Sequence, residues 1–248
     1  MDRARYLQRI GYHGSLSPTA QTLSALQQAH LLSVPFENLD ISLGRPIELD
    51  ETALFDKIVQ RRRGGFCYEL NGLFAALLRD LGYSVSLLSA QVAHKNGGFG
   101  PPFDHLALLV SLEEPWLVDV GFGDSFRIPL HLEPLREQVQ AEGSYRLSQE
   151  GALWTLYQQE GANWQAQYCF TLQPHTLAEF VPMCHYQQTS PQSHFTQGRV
   201  CTRATEDGRI TLSELRLITT VGHERHEQAL AGEEEFRALL QQYFGISL

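Results

Sequence analysis

Cys67 stands in the stretch RRRGGFCYELNGLF, Arg61 to Phe74, behind three arginines and two glycines and ahead of an apolar run. The nucleophilic form of a cysteine is its thiolate, and a thiol of pKa ~8.5 is mostly protonated at neutral pH. A helix N-terminus, a nearby cation or a histidine that takes the proton favours the thiolate. Leu70, Leu73, Phe74, Leu77, Leu78 and Leu81 follow at steps of three and four. That spacing predicts a helix that begins at Cys67, with the positive end of its dipole at the sulfur. Gly64 and Gly65 read as keeping side chains away from the approach to the sulfur. A free cysteine is more often simply a small buried hydrophobe, and that reading competes with the reactive one.

A nucleophilic cysteine needs a base, and the base needs a group that orients it. His105 lies in PPFDHLALLV and Asp119 in PWLVDVGFG, two strand-like runs joined by SLEEP. A hairpin turning near Leu112 sets the two residues opposite each other, and a slip of two residues keeps them on one face. An aspartate inside WLVDVGF is costly to bury unpaired, so it needs a donor, and the His105 imidazole is a good one. Taken singly, Asp119 reads as a turn cap and His105 as a satisfied core histidine. Arg63 either belongs to a solvated helix end or pairs inward with Glu37 of VPFENLDI.

Other motifs carry less. HERHE offers His223 and His226 beside Glu224 and Glu227, but two histidines without a distant third ligand read as a solvated loop or helix end rather than a metal site. GFGD at 121–124 lacks the third glycine of a dinucleotide fingerprint. KNGGFGPPF, just before His105, is a strand connection that also suits the rim of a site.

The elements that must position these residues follow from periodicity. Residues 1 to about 85 read as helices, with Ser17-Pro18 opening one, Asp50 capping the next and Gly82 ending the third. From Gly82 the period changes to short β-branched and aromatic runs, which predicts antiparallel strands to about residue 172. A helix over TLAEFVPMCHYQQ, three more strands and a helix over EEEFRALLQQYFGI complete the chain. Helices followed by strands, rather than alternating with them, predict an α+β protein. The chain has 248 residues, 43% of them hydrophobic, and a formal net charge of −9, which argues against general nucleic-acid binding. MDRARYLQRIGYHG lacks the apolar core of a signal peptide, and no apolar run is long enough to span a bilayer, so a cytoplasmic protein without membrane attachment is expected. Cys67, Cys169, Cys184 and Cys201 form no CxxC pair, so four free thiols and no structural zinc are expected.

The motifs VPFENLDI (34–41), RRGGFCYELNGLF (62–74), HLALLV (105–110), VDVGFG (118–123) and SPQSHF (190–195) together resemble the arylamine N-acetyltransferase family in order and spacing. The resemblance implies a helical domain (1–85) carrying the nucleophile, a β-barrel domain (86–188) carrying histidine and aspartate, and an α/β lid (189–248). It implies a cysteine site like that of papain-like proteases and transglutaminases. Carried over, Cys67 accepts the acyl group, His105 moves its proton, and Asp119 orients the imidazole. Phe36, Phe122 and Val92 line the amine pocket, and Arg63 with Glu37 braces the site from behind. The implied acyl donor is acetyl-coenzyme A, a co-substrate held between barrel and lid, with the Gly121–Phe126 loop near its pyrophosphate. No metal and no bound prosthetic group are implied, and homo-oligomerisation stays open. Many bacterial members continue into a further C-terminal helix, so the resemblance implies a shorter lid here, a less covered cleft and some hydrolysis of the acyl-enzyme. A cysteine hydrolase or transglutaminase-like enzyme, a family-related amide synthase and a non-catalytic binder remain alternatives.

Overall fold

The computed structural model describes residues 1–222 and 224–248, so the His223 of HERHE lies outside the described residues. The first third of the chain is helical, as its spacing predicts: α1 (Arg3–Arg9), α2 (Ala20–Ser33), α3 (Leu39–Ser42), α4 (Glu51–Phe55) and α5 (Cys67–Asp80), with the two-residue strand β1 (Phe36–Glu37) between α2 and α3. α2 begins later than Ser17-Pro18 suggests, because the Thr19 hydroxyl accepts from the Thr22 N–H at 3.2 Å and caps it. Asp50 caps α4 as expected, accepting from the N–H groups of Thr52 and Ala53. The helix then widens into a π-helical turn at Asp56–Gln60, which buries Lys57, Ile58 and Val59 in succession. α5 begins at Cys67 and is buried through its first two turns, and Gly82, at φ +91°, follows its C-cap.

The strands predicted after Gly82 are present as β2 (Ser84–Val92), β3 (His105–Ser111), β4 (Pro115–Val118), β5 (Leu130–His131), β6 (Glu137–Gln140), β7 (Gly143–Glu150), β8 (Leu153–Glu160) and β9 (Asn163–His175). They form one antiparallel sheet in the order β5-β4-β3-β2-β9-β8-β7-β6, curled into a nearly closed barrel around Leu117, Phe126, Tyr145, Leu156 and Phe170. Its seam is closed by side-chain amides instead of a backbone ladder. Gln138 accepts from the His131 N–H (2.7 Å) and donates to the His131 carbonyl (3.0 Å). Gln140 accepts from the N–H groups of Arg127 and Ile128 (2.9 and 3.0 Å) and donates to the Ile128 carbonyl (2.7 Å).

α6 (Val181–Thr189) leads into a second antiparallel sheet of β10 (Val200–Thr205), β11 (Gly208–Ser213), β12 (Arg216–Val221) and β13 (Glu224–Ala229), backed by α7 (Glu233–Phe244). β1 completes this sheet, with Phe36 opposite Thr202 and Glu37 opposite Cys201. The early segment that carries VPFENLDI is thereby stitched to the lid. The α+β class holds. β13 was expected as a loop or helix end. It is an edge strand paired to β12 and exposed throughout, so it has no apolar alternation for periodicity to detect. His226 therefore sits on a strand.

Replacing both Gln138 and Gln140 by alanine removes five hydrogen bonds across the seam. The expected loss is about 2 kcal/mol in urea unfolding, discounted from about 1 kcal/mol per bond because part of the seam meets water. Amide exchange at 128–131 should quicken before the rest of the barrel.

Candidate active site

Cys67 occupies the first turn of α5 and is 4% exposed. The N-cap, Phe66, has no side-chain oxygen with which to cap. Glu69 supplies half of a capping box instead, its Oε2 accepting from the Phe66 N–H at 3.1 Å. The two glycines serve this arrangement and not the approach to the sulfur. A Cβ on Gly64 would overlap the Pro35 carbonyl oxygen, and one on Gly65 would lie 2.7 Å from the Glu69 carboxylate. Their bare faces point inward, so the expectation that they open a path for substrate is corrected.

His105 and Asp119 meet as expected, Nε2 to Oδ2 at 2.7 Å, with both side chains buried. The hairpin turns at Glu113, because Leu108 faces Val118 and Ser111 faces Pro115. Extending that register puts Ala107 opposite Asp119, a slip of two from a turn at Leu112, and the pair meets on the diagonal. β4 stops at Val118, so Asp119 lies beyond the ladder and can turn inward. Asp119 Oδ1 accepts from Asn71 Nδ2 and from the Gly121 N–H, both at 2.8 Å. Burial alone would raise the Asp119 carboxyl; His105, Asn71 and Gly121 outweigh it and hold it below the usual carboxylate range.

Asn71 links this pair to the start of the helix that carries Cys67. It lies one turn after Cys67 on the same helix face. Its amide also donates to the Leu106 carbonyl (2.7 Å) and accepts from the Val120 N–H (2.9 Å). Gly121 packs so closely that a Cβ there would sit 2.7 Å from Cys67 Cα and 2.6 Å from Asn71 Nδ2. Helix start, β3 and the turn after β4 thus converge on one point. The helix dipole does not leave the free thiol acidic. Burial pushes it well up, with Asp119, Cys184 and Asp104 adding to the rise and the Leu106 N–H opposing it.

Arg63 and Glu37 pair as expected, Nη2 to Oε1 at 2.8 Å and Nε to Oε1 at 2.9 Å, both buried. The pair belongs to a larger group that the spacing did not reveal. Asp40 joins Arg63 (3.1 Å) to Lys57 (2.8 Å), and Lys57 reaches Glu69 at 2.7 Å.

Phe122 packs edge-on to His105, ring centres 5.2 Å apart, and shares with Val92 the wall of a cleft of about 770 Å³ that also meets His94, Lys95, Phe99 and Gln167. The KNGGFGPPF loop forms its rim. Phe36 stands apart from this wall, against Phe195 at 6.1 Å and close over Gly123, on the lid side. Tyr168 was missed. Its ring lies 5.1 Å from both His105 and Phe122, and burial and the neighbouring Asp119 keep its hydroxyl protonated. Nothing in the sequence marks it. Asn71 had a signal, a polar residue inside an apolar helix one turn after the cysteine. Among the described residues no group of three or more His, Cys, Asp or Glu is placed to hold a metal ion, and all four cysteines are free.

With this geometry in hand, comparison with known proteins is specific. A family model described as N-acetyltransferase matches residues 19–248. An arylamine N-acetyltransferase / N-hydroxyarylamine O-acetyltransferase of Salmonella typhimurium is 39% identical over 93% of this chain and 84% of its own. The Escherichia coli arylamine N-acetyltransferase is 36% identical over 98% and 88%. The Mycobacterium marinum arylamine N-acetyltransferase solved in complex with CoA superposes with a TM-score of 0.92 at 34% identity, over 99% of this chain and 93% of that one.

The inward packing of the glycines predicts that Gly64→Ala lowers the unfolding free energy by about 3 kcal/mol, the upper end for overpacking against rigid backbone. Gly198→Ala, where a Cβ meets open space, should stay within about 0.5 kcal/mol of wild type in the same denaturation series.

Proposed function

The chain belongs to the arylamine N-acetyltransferase family, and on that premise we propose that it moves an acetyl group from acetyl-coenzyme A to the amino group of arylamines and arylhydrazines. The transfer is ping-pong, through an acetyl-cysteine at Cys67. The observation that carries the reading is the buried Asp119–His105 pair tied through Asn71 to the first turn of the cysteine's helix. The Mycobacterium marinum relative solved in complex with CoA supports the donor. Four free cysteines, and the lack among the described residues of any helix long and apolar enough to cross a membrane, fit an enzyme of the reducing cytoplasm.

His105 is held by Asp119 through Nε2, and its Nδ1 has no hydrogen bond to the described residues. Nδ1 takes the Cys67 proton as sulfur attacks the thioester carbonyl. The carbonyl electrons move to oxygen, where the Cys67 N–H at the helix start stabilises the oxyanion. Collapse breaks the carbon–sulfur bond to coenzyme A, which leaves with the proton from His105. The acetyl group is now a thioester on Cys67. A neutral arylamine attacks it, His105 accepts the amine's proton, and the sulfur departs and is reprotonated. Asp119 stays ionised throughout and steadies the imidazolium. Phe122 and Val92 offer the ring an apolar wall, with Phe36 closing from the lid side. Aromatic amines suit the site because they are unprotonated at neutral pH, whereas an alkyl amine arrives as a cation.

Intact mass spectrometry after exposure to acetyl-coenzyme A should find one acetyl group on wild-type protein and none on Cys67→Ala. A wild-type chain left unmodified at Cys67 by any acyl donor would end the reading. An adduct that hydrolyses as fast with arylamine absent as present would move it to the hydrolase class. Asp119→Asn should keep the KM for amine while lowering kcat about 10³- to 10⁴-fold, as expected when the base loses its tautomer and its counter-charge.

A further inference from the structure

Five charged side chains lie buried together beside the start of α5: Glu37, Asp40, Lys57, Arg63 and Glu69, none more than 6% exposed. Arg63 and Glu37 satisfy each other. Lys57 and Glu69 are different, because Glu69 has a second task. One carboxylate oxygen takes the Lys57 ammonium at 2.7 Å, and the other takes the Phe66 N–H at 3.1 Å, directly before the nucleophile. The Lys57 ammonium is there because of a local irregularity. A regular helix through Asp56–Gln60 would spread those side chains around its axis, whereas the π turn buries Lys57 beside Ile58 and Val59. Gly65 leaves the space that the Glu69 carboxylate occupies. Three features of the chain, a π turn, a glycine and an acid at the third helical position, serve one contact.

We propose that the Lys57–Glu69 pair is a positioning device for Cys67, in which the Glu69 carboxylate fixes the backbone entering α5 while the Lys57 ammonium cancels its charge beneath the nucleophile. The proposal rests on Cys67 as the nucleophile and assigns a role to two residues outside the reacting set. Glu69 binds the Phe66 N–H, and the next N–H groups, of Cys67 and Tyr68, keep no partner among the described residues, as first-turn groups do, and so stay free for a developing oxyanion. Were Lys57 neutral, the carboxylate would face Glu37 and Asp40, the nearest cations being Arg63 and Arg45, which pair with Asp40 at 3.1 and 3.9 Å, and Arg61 on the cleft wall, and Cys184 on α6 offers no compensation. It would then take up a proton or turn away. Burial already pushes the Glu69 carboxyl up to about 7 against the pull of Lys57, with Glu37 adding to the rise. A cleft of about 130 Å³ beside this group, lined by Arg45, Arg61, Lys57, Asp40 and Glu69 among others, gives water a route to the pair.

The sign follows from the cause. A carboxyl whose folded pKa exceeds its unfolded value favours the folded state at low pH, and that contribution is lost as pH rises from about 4.5 through about 7. Above that range the ionised pair is held by Lys57. The cap and the charge can be separated by substitution. Glu69→Gln keeps an oxygen for the Phe66 N–H, Glu69→Ala removes it, and Lys57→Gln strands the carboxylate. Lys57→Gln with Glu69→Gln restores a neutral, hydrogen-bonding pair.

The test is the rate of iodoacetamide alkylation of Cys67 against pH, followed by mass spectrometry, with single-turnover acetylation measured beside it. Expected are a fall of about tenfold or more at neutral pH for Lys57→Gln and Glu69→Ala, about threefold or less for Glu69→Gln, and recovery in the double variant. The KM for amine should hold while acetylation slows. A neutral-range inflection in the wild-type alkylation profile should vanish in Glu69→Gln. If Lys57→Gln fails to fold, the Glu69→Gln and Glu69→Ala pair alone decides. Equal rates in those two variants overturn the positioning role, and so does a double variant no better than Lys57→Gln. Alkylation reads the thiol without any acyl donor. A wild-type Cys67 that alkylates in this pattern yet never acetylates would therefore count against the transferase reading and leave this one standing.

Discussion

Asp119 is an ionised carboxylate with almost no contact with water, and the centre of the molecule is arranged to keep it so. Removing such a charge from water costs several kcal/mol unless every lone pair is answered. Here His105 answers one oxygen, and Asn71 with the Gly121 N–H answers the other. Each donor comes from a different element: β3, α5 and the turn after β4. Satisfying one buried charge therefore locks the helical layer against the barrel at the point where the cysteine begins its helix. The same contacts aim the imidazole, so stability and orientation are one requirement.

The Asn71 side chain shows how tight that requirement is. It donates to both Leu106 and Asp119, which uses both its N–H groups, and accepts from Val120. A shift of α5 along its axis would break all three bonds together, and Gly121 removes the slack by packing against Cys67 Cα. On the opposite side of the helix start, Glu69 and Lys57 set a second fixed point. Cys67 lies between two polar clamps, one per face, in a helix otherwise held by leucines.

Much of this was legible in the chain, for identifiable reasons. α5 was readable because its leucines follow one face, and the β3–β4 hairpin because two apolar runs flank a short polar link. The hairpin's register was readable only to within two residues, since a two-residue slip preserves the face and nothing in SLEEP selects Glu113 over Leu112 as the centre. The Arg63–Glu37 pair was an available partnership of opposite charges. Lys57 was not readable: within LDETALFDKIVQRRR it looks like one more solvated cation, and only the π turn carries it inward. Gly64 and Gly65 were noticed but misassigned, because sequence shows that a side chain is missing without showing which neighbour fills its place. β13 and the glutamine seam escaped because exposed polar strands and side-chain bridges have no hydrophobic period.

The protonation of Cys67 ties these constraints to the chemistry. Helix N-termini are usually invoked to make cysteines acidic, yet here burial and nearby acidic groups outweigh the dipole and raise the thiol. A free thiolate in this site would be repelled by Asp119 and deprived of water. It becomes stable only when the proton it loses stays close, on an imidazole whose positive charge Asp119 balances. In the proposed transfer the charges alternate as sulfur anion, imidazolium and carboxylate, and each member needs the next. Asp119 opposes a thiolate directly, and in the proposed transfer it supports one through the imidazolium of His105. On that proposal Cys67 stays neutral until His105 accepts its proton, which protects a buried sulfur from charge at rest while leaving it ready to attack.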